Sequence, residues 1–453
     1  MSSPAAEPRR ILLLDFWSEK NRGDAAMQLA LVRLVRRRLP EARVTVMAAT
    51  GADQWPALAG ELDHTGPLVD DVVGGLRIWL TGPFRAGPLH VPPIRKAVSG
   101  VNALLSIWLL AMLPILRRAP ILARALPVEL RRSIRAVQEA DLVLWNCRNV
   151  KGEGPHGEAY AVWARLYDAA AAIELRRPVA CVAASIWPLH SRVGRAIART
   201  VLLRCLSISV RDPDSLGTAR ELLAGNVGRV PMALVPDLSL AVLDQSDRRG
   251  SPRPRRELRR LGLTLVDNRS AGPADRRAYE TALRSLLATH LGRRGTEVVV
   301  VPQVTTRWQP TGAVLARVLD GLDASRVRVV PGKPTLDELM VLYRDLDLLV
   351  ATRMHSAIFA LCLGTPAVAI AYTSGGKWGI LDAIGAGEVV VPYRGIDAAA
   401  LAESVERTWR RRDELTAEVG HRLPSLAAQV DRHLELPLAA LTARRRATDG
   451  SVA

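Results

Sequence analysis

Short apolar runs, mostly β-branched or leucine-rich, alternate with longer amphipathic stretches along almost the whole chain. In the first half these runs cover residues 11–16, 43–48, 141–145, 178–185 and 206–210; in the second half, 262–266, 297–301, 326–330, 346–350 and 367–371. Stretches with helical periodicity lie between them, for instance 24–38 and 157–176. The runs are nearly continuous rather than alternating, the pattern of strands buried on both faces of a parallel sheet. Repetition of strand and helix in this manner predicts an α/β chain of two Rossmann-like, doubly wound domains.

The chain of 453 residues is long enough for two large domains. The natural divide is DQSDRRGSPRPRRELRR, residues 244–260, whose proline, glycine and crowded arginines join neither core. This predicts an N-terminal domain over 1–243, a linker over 244–260, a C-terminal domain over 261–435 and a tail over 436–453. One segment breaks the alternation. Residues 97–116, AVSGVNALLSIWLLAMLPIL, carry no charge, with Arg95 and Lys96 before them and Arg117 and Arg118 after. That is about the minimum length of a membrane span. A crossing, however, would separate the first two strands from those after Asp141 with which they share a sheet. The insertion near 95–135 is therefore expected to be a core helix or a helix lying in the lipid interface. In the second case Arg124, Arg131, Arg132 and Arg135 would face anionic headgroups.

Charge sharpens the picture. The balance of 62 basic and 45 acidic side chains leaves +17, so an anionic partner is expected: nucleic acid, a membrane surface or a phosphorylated substrate. The arginines are dispersed and no zinc finger, RNA-recognition signature or helix-turn-helix pattern accompanies them, which argues against nucleic acid. Cys147, Cys181, Cys205 and Cys362 are scattered, without a CxxC or a His/Cys cluster at ligand spacing. They are expected to pack as small hydrophobes, and no metal is expected. The first apolar run is too short for a signal-peptide core and carries Asp15. The expected location is cytoplasmic, with contact at the cytoplasmic face of the membrane.

Two constellations carry candidate chemistry. In SEKNRGDAAMQLAL, Gly23 permits a tight turn and Asp24 stands at the start of a helix, as an N-cap or as a base at the carboxyl end of a parallel strand. In the second half a strand runs into Thr352-Arg353-Met354-His355-Ser356 and an apolar helix; the next strand leads to Tyr372 and Lys377. A cation and an imidazole two residues apart at a strand's end, beside free helix amides, suit an anion.

These segments resemble a known family. RMHSAIFALCLGTPAVAIAYTSGGKWG resembles the C-terminal signature of the polysaccharide pyruvyl transferases, and NRGDAAMQLAL resembles their N-terminal Asn-x-Gly-Asp loop and helix. SISVRDPDS at 207–215, Pro236-Asp237 and Val301-Pro302-Gln303 are similar to further strand-end elements of that family, in the same order. The resemblance implies two Rossmann-like domains facing a central cleft, as in the glycosyltransferase-B fold. It also implies transfer of the pyruvyl unit of phosphoenolpyruvate, as co-substrate rather than cofactor, to saccharide hydroxyls as a ketal. Carried over residue by residue, Arg353 and His355 would hold the donor, with Arg211 and Lys377 joining them. Asp24 matches the acidic residue of the cleft; with His355 as acid it is the candidate base. Asn21, Gly23, Asn146 and Lys151 are the candidate loop contacts to the acceptor, which the basic loop suggests is lipid-linked. The stretch NCRNVKGEGPHGEAY departs from the glycine-rich loop of many members. The rival readings are a nucleotide-sugar glycosyltransferase of the same fold and a non-catalytic basic protein.

Overall fold

The fold is described from a computed structural model over residues 7–51, 59–77, 92–146, 149–150, 152, 157–243, 257–268, 271–305, 311–372 and 378–449. It divides into two compact units. The first comprises Met1–Ser18, Gln28–Val235 and Asp431–Ala453; the second comprises Glu19–Met27 and Pro236–Val430.

The first unit is built on seven strands: β1 (Arg10–Phe16), β2 (Arg43–Gly51), β3 (Asp71–Gly75), β4 (Leu142–Asn146), β5 (Val179–Ala184), β6 (Ser207–Val210) and β7 (Met232–Leu234). All pairings are parallel, in the order β3-β2-β1-β4-β5-β6-β7. The second unit has β8 (Arg260–Thr264), β9 (Glu297–Val300), β10 (Val327–Val329), β11 (Leu348–Ala351), β12 (Ala367–Ala371) and β13 (Val390–Pro392). These are also parallel, in the order β10-β9-β8-β11-β12-β13. In each sheet the order reverses beside the first strand, between β1 and β4 and between β8 and β11. Loops at the carboxyl ends of such a pair diverge, and open α/β sheets bind ligands there.

The central strands are buried along their whole length because helices cover both faces: every residue of LVLWN in β4 and of VACVAA in β5 is buried. The two units share a device at the opposite end of the sheet. Asp141 stands just before β4, and its carboxylate accepts the backbone N–H groups of Arg9 and Arg10 at 2.8 and 2.9 Å. Asp347, just before β11, takes those of Arg259 and Arg260 at 2.9 and 2.7 Å. An arginine pair at the start of the first strand and an aspartate just before the fourth thus recur in both halves, setting the same register.

Three strands escaped the sequence pattern: β3, β7 and β13. Each lies at a sheet edge and they span only five, three and three residues, too few for a period to show. The predicted linker lies mostly outside the described residues, and its last residue, Arg260, opens β8. The units divide earlier than expected, at Val235/Pro236, and the chain returns to the first unit at Asp431. The expected tail is corrected by this return. Residues Arg432–Asp449 form a helix packed on β5 and β6. His433, Leu434 and Leu441 are buried on one side of it, and His433 Nδ1 lies 2.8 Å from the Ser209 hydroxyl. Three consecutive arginines near its end hid that apolar stripe.

Candidate functional site

The carboxyl ends of β8 and β11 mark the order reversal of the second sheet. Beyond β11 the chain turns through Thr352 and Arg353 into the helix Met354–Cys362, for which Arg353 is the N-cap residue in extended conformation. Eight of this helix's nine residues are buried, so it is a platform clamped on all sides. Arg353 is buried too, and its Nε donates to the carbonyl of Leu265, one residue past β8, at 3.3 Å. The guanidinium therefore bridges the two diverging strand ends. The phenols of Tyr372, Tyr279 and Tyr343 surround it, and Tyr372 accepts a hydrogen bond from it. Burial pulls the guanidinium below its ordinary pKa, the phenols partly opposing. It starts so high that it stays a cation. Burial likewise pushes the Tyr279 and Tyr343 hydroxyls up and keeps them neutral donors. Tyr279 Oη lies 2.8 Å from Thr352 Oγ1, and Tyr343 Oη donates to Gln303 Oε1 at 2.6 Å. Among the described residues Gln303 Nε2 is buried with no hydrogen-bond partner.

His355 opens the same helix. Its ring packs against the backbone of Gly23: a Cβ there would lie 2.3 Å from Nδ1 and 2.7 Å from Cγ, so only glycine fits. The other nitrogen, Nε2, is buried without a hydrogen-bond partner among the described residues and lies 3.8 Å from Asp237 Oδ1. Asp237 is wholly buried and is fixed by the Ser239 N–H, which donates to its carboxylate at 2.9 Å. A carboxylate behind an imidazole holds the ring's orientation and offsets its positive charge when protonated. In the sequence Asp237 is legible as a strand-end element, with no role attached to it.

The loop that supplies Gly23 belongs to this unit. Asn21 bridges Val304, Arg22 N–H donates to Gln303 O at 3.2 Å, and Thr305 N–H donates to Lys20 O at 3.0 Å. Arg22 is buried, with Nη1 on Glu19 O at 2.8 Å and Nη2 on Lys333 O at 3.3 Å. The helix begins two residues earlier than expected, and its cap is Asn21, whose Oδ1 accepts the Gly23 N–H at 3.3 Å. Asp24 instead sits in the first turn, where its carboxylate accepts Asn21 Nδ2 at 2.9 Å. The second unit thus gathers Asn21, Gly23, Asp24, Arg353 and His355, with Asp237 and Gln303 added by the structure.

The first unit holds two of the other candidates. Asn146 ends β4 beside the order reversal; it is wholly buried, and neither end of its amide has a hydrogen-bond partner among the described residues. Arg211 follows β6 and donates through Nε to Ser185 Oγ at 2.8 Å. Ser185 donates in turn to Asp212 Oδ2 at 3.2 Å, and Asp212 caps the helix Pro213–Leu222 by accepting the Ser215 N–H at 2.8 Å. The Arg-Asp-x-x-Ser motif is therefore a preorganised strand end. Asn146 ends β4 and Arg211 follows β6, strands separated by β5. Lys151 and Lys377 lie outside the described residues.

A further group was not legible, because its members are 62 and 91 positions apart in the chain. Asp15, in left-handed conformation at φ 64°, is the penultimate residue of β1, and its charge reaches Arg77 and Asp168. Asp168 Oδ1 accepts the Leu76 N–H at 2.8 Å. Burial pushes its carboxyl from 3.8 to about 6, the Asp15 charge adding and Arg77 opposing. The fold thus holds this proton more tightly than the unfolded chain does. The unfolded carboxyl ionises first, so stability falls as pH rises from about 4 to about 6 and is level above. Asp168→Asn keeps an acceptor for Leu76 and removes that loss. Thermal melting should show the variant more stable than the parent by on the order of 1–3 kcal/mol at pH 8, the gain shrinking towards zero near pH 4.

Two arginine-lined hollows, one at Arg259, Arg260 and Arg326 and the other at Arg10, Arg43 and Arg132, lie at the amino ends of the strands. Those ends are the ones that open α/β sheets do not use for ligands. Among the described residues no group of three His, Cys, Asp or Glu is placed to hold a metal ion. The three described cysteines, Cys181, Cys205 and Cys362, are buried thiols outside any disulfide among the described residues.

The sequence profile of the polysaccharide pyruvyl transferases matches residues 21–374. No curated protein matches the chain. Among solved structures, the chain is similar to a protein assigned as a UDP-N-acetylglucosamine 2-epimerase from Listeria monocytogenes, at 13% identity, 98% coverage of each chain and a TM-score of 0.56. A glycosyltransferase from Rickettsia africae gives 11% identity, 96% coverage of this chain and 99% of that one, and 0.52. S. aureus MnaA with UDP gives 10%, 94% and 97%, and 0.51. At such identities the likeness concerns the fold, that of the glycosyltransferase-B proteins and epimerases with their paired Rossmann-like domains.

Proposed function

Because the chain belongs to the polysaccharide pyruvyl transferase family, and is a transferase of polysaccharide modification, we propose that it moves the pyruvyl unit of phosphoenolpyruvate onto two hydroxyls of a saccharide. The observation that chiefly supports this reading is the buried Arg353 guanidinium two residues from His355, at the order reversal of the second sheet. The donor is small and multiply anionic. A guanidinium forks onto a carboxylate or phosphate with two parallel hydrogen bonds, and a dry setting strengthens each of them. Gln303 Nε2 supplies another buried donor in the same unit.

The reaction needs a proton at the donor's methylene carbon. His355 is the group for it, held by Gly23 on one side and by the Asp237 carboxylate on the other. Protonation turns the methylene into a methyl and places positive charge at C2, which a first sugar hydroxyl attacks. The C2–O bond to phosphate then breaks, and the second hydroxyl closes the ketal. Of the two hydroxyl protons, one balances the proton delivered to the methyl carbon and the other leaves with phosphate. Asp24, tied to Asn21 in the adjoining loop, is the base proposed to take the first. Arg211 and Asn146 are proposed contacts of the first unit, the latter to the acceptor. Incubation with phosphoenolpyruvate and a panel of saccharides tests the reading. Acceptor-dependent phosphate release, with a new methyl singlet in the NMR spectrum of the sugar, is expected; phosphate release without a modified sugar counts against it.

Gly23 gives a sharper test of the ring's placement. Gly23→Ala forces the imidazole or the loop to move, and displacement of a reacting group by about 1 Å can cost on the order of 10²-fold in rate. Turnover should fall by that order at a temperature where the far-ultraviolet spectrum shows the variant still folded. An alanine variant with full turnover would show that the ring's position does not matter.

A further inference from the structure

The helix Pro92–Arg118 is built inside out. From Gly100 to Arg118 it is long and apolar enough to cross a membrane, yet one side of it is packed into the core of the first unit. On that buried side stand Leu109, Leu113 and Leu116 but also the polar Asn102 and Ser106. The carbonyl of Ser106 accepts the buried Tyr167 hydroxyl at 2.9 Å. The outward side carries Val101, Leu104, Trp108 and Ile115, spaced by three, four and seven residues as one helical stripe, with Ile107 beside it. Leu104 is 68% and Trp108 52% exposed. A helix facing water places its polar residues outward; here they face inward and the large apolar side chains face out. The apolar surface continues along the chain into Ile121, Leu122 and Val128, all exposed.

The segment that carries this stripe is basic. Residues 92–128 contain no aspartate or glutamate, and Arg118, Arg124 and Arg135 are exposed in and just beyond that stretch, with Glu129 the one exposed acid between Arg124 and Arg135. A second protein surface would have to bury large apolar side chains while facing a ring of arginines. A bilayer with anionic headgroups satisfies both: acyl chains take the leucine, isoleucine and tryptophan, and the headgroups take the guanidiniums. Crossing is ruled out while Leu109, Leu113 and Leu116 remain in the core. We propose that this face docks the protein on the surface of an anionic membrane, the helix lying in the plane of the interface. The inference does not depend on the donor chemistry.

The full chain should sediment with vesicles of phosphatidylcholine and phosphatidylglycerol, weakly or not at all with phosphatidylcholine alone, and less as salt is raised. Leu104→Ser/Trp108→Ser alters only outward side chains and should retain the parent's far-ultraviolet spectrum and its release of phosphate from phosphoenolpyruvate in the presence of a soluble acceptor. Its partition onto the anionic vesicles should fall by on the order of tenfold or more, two buried apolar side chains being lost. Arg118→Gln/Arg124→Gln should lose the preference for anionic lipid. Unchanged sedimentation of the serine variant would overturn the proposal. So would a parent that ignores anionic vesicles and instead forms a dimer in light scattering that the serine variant disperses, which would assign the face to a second copy.

Discussion

Replacing His355 with asparagine is expected to lower acceptor-dependent phosphate release by about 10²- to 10⁴-fold, the range that a positioned general acid contributes. Asparagine keeps a polar side chain of smaller size against Gly23, so the helix Met354–Cys362 should retain its packing, and the melting temperature should stay close to that of the parent. The loss should fall on kcat, because the proton is needed at the reacting carbon rather than for holding the donor. Asp237→Asn provides a graded companion. It leaves an acceptor for the Ser239 N–H but removes the charge 3.8 Å from Nε2, so its loss should be smaller. Steady-state rates at saturating donor separate the two. Full turnover in the asparagine variant would place the acid elsewhere.

The second large effect is expected at Arg353. Arg353→Lys keeps a positive charge but loses the planar fork, and the shorter head cannot both reach the Leu265 carbonyl and grip an anion. A hydrogen bond to a charged group contributes about 1.5–3 kcal/mol, so KM for the donor should rise by roughly 10- to 100-fold. kcat should be less affected, the reverse of the His355 pattern. Initial rates over a donor titration distinguish them, and an unchanged KM would remove Arg353 from the donor site.

The legible and illegible parts of the molecule separate along physical lines. β1, β4, β5, β8, β11 and β12 were legible because a strand covered on both faces needs an unbroken apolar run. Edge strands need none, and β3, β7 and β13 passed unseen. The C-terminal helix was obscured because its apolar stripe is only partly filled and its last turns are arginine-rich. In the candidate site, Arg353 and His355 were legible from their place after an apolar strand, and Asp24 from its place after a glycine. Which residue caps that helix was not, since Asn21 and Asp24 are equally capable caps and only the chain's path chooses. The pairing of Asp237 with His355, and of Asp168 with Asp15 and Arg77, depends on elements brought together across 118 and up to 153 positions of chain. No local pattern encodes such a meeting. The apolar segment was visible at once, but only the structure shows that it turns its asparagine and serine inward.

The claim on which the account rests is that the second unit's Arg353 and His355 cluster holds phosphoenolpyruvate. Thermal melting of the full chain against increasing ligand tests it most directly, since a ligand at a hundredfold excess over its Kd stabilises the fold by about 2.7 kcal/mol. Phosphoenolpyruvate should raise the melting temperature of the parent in a saturable manner, and Arg353→Lys should shift that curve to 10- to 100-fold higher concentration, on the order expected for one lost charged hydrogen bond. UDP-sugars should have no such effect. Stabilisation by a UDP-sugar with none by phosphoenolpyruvate, or identical curves for the parent and the lysine variant, would contradict the account.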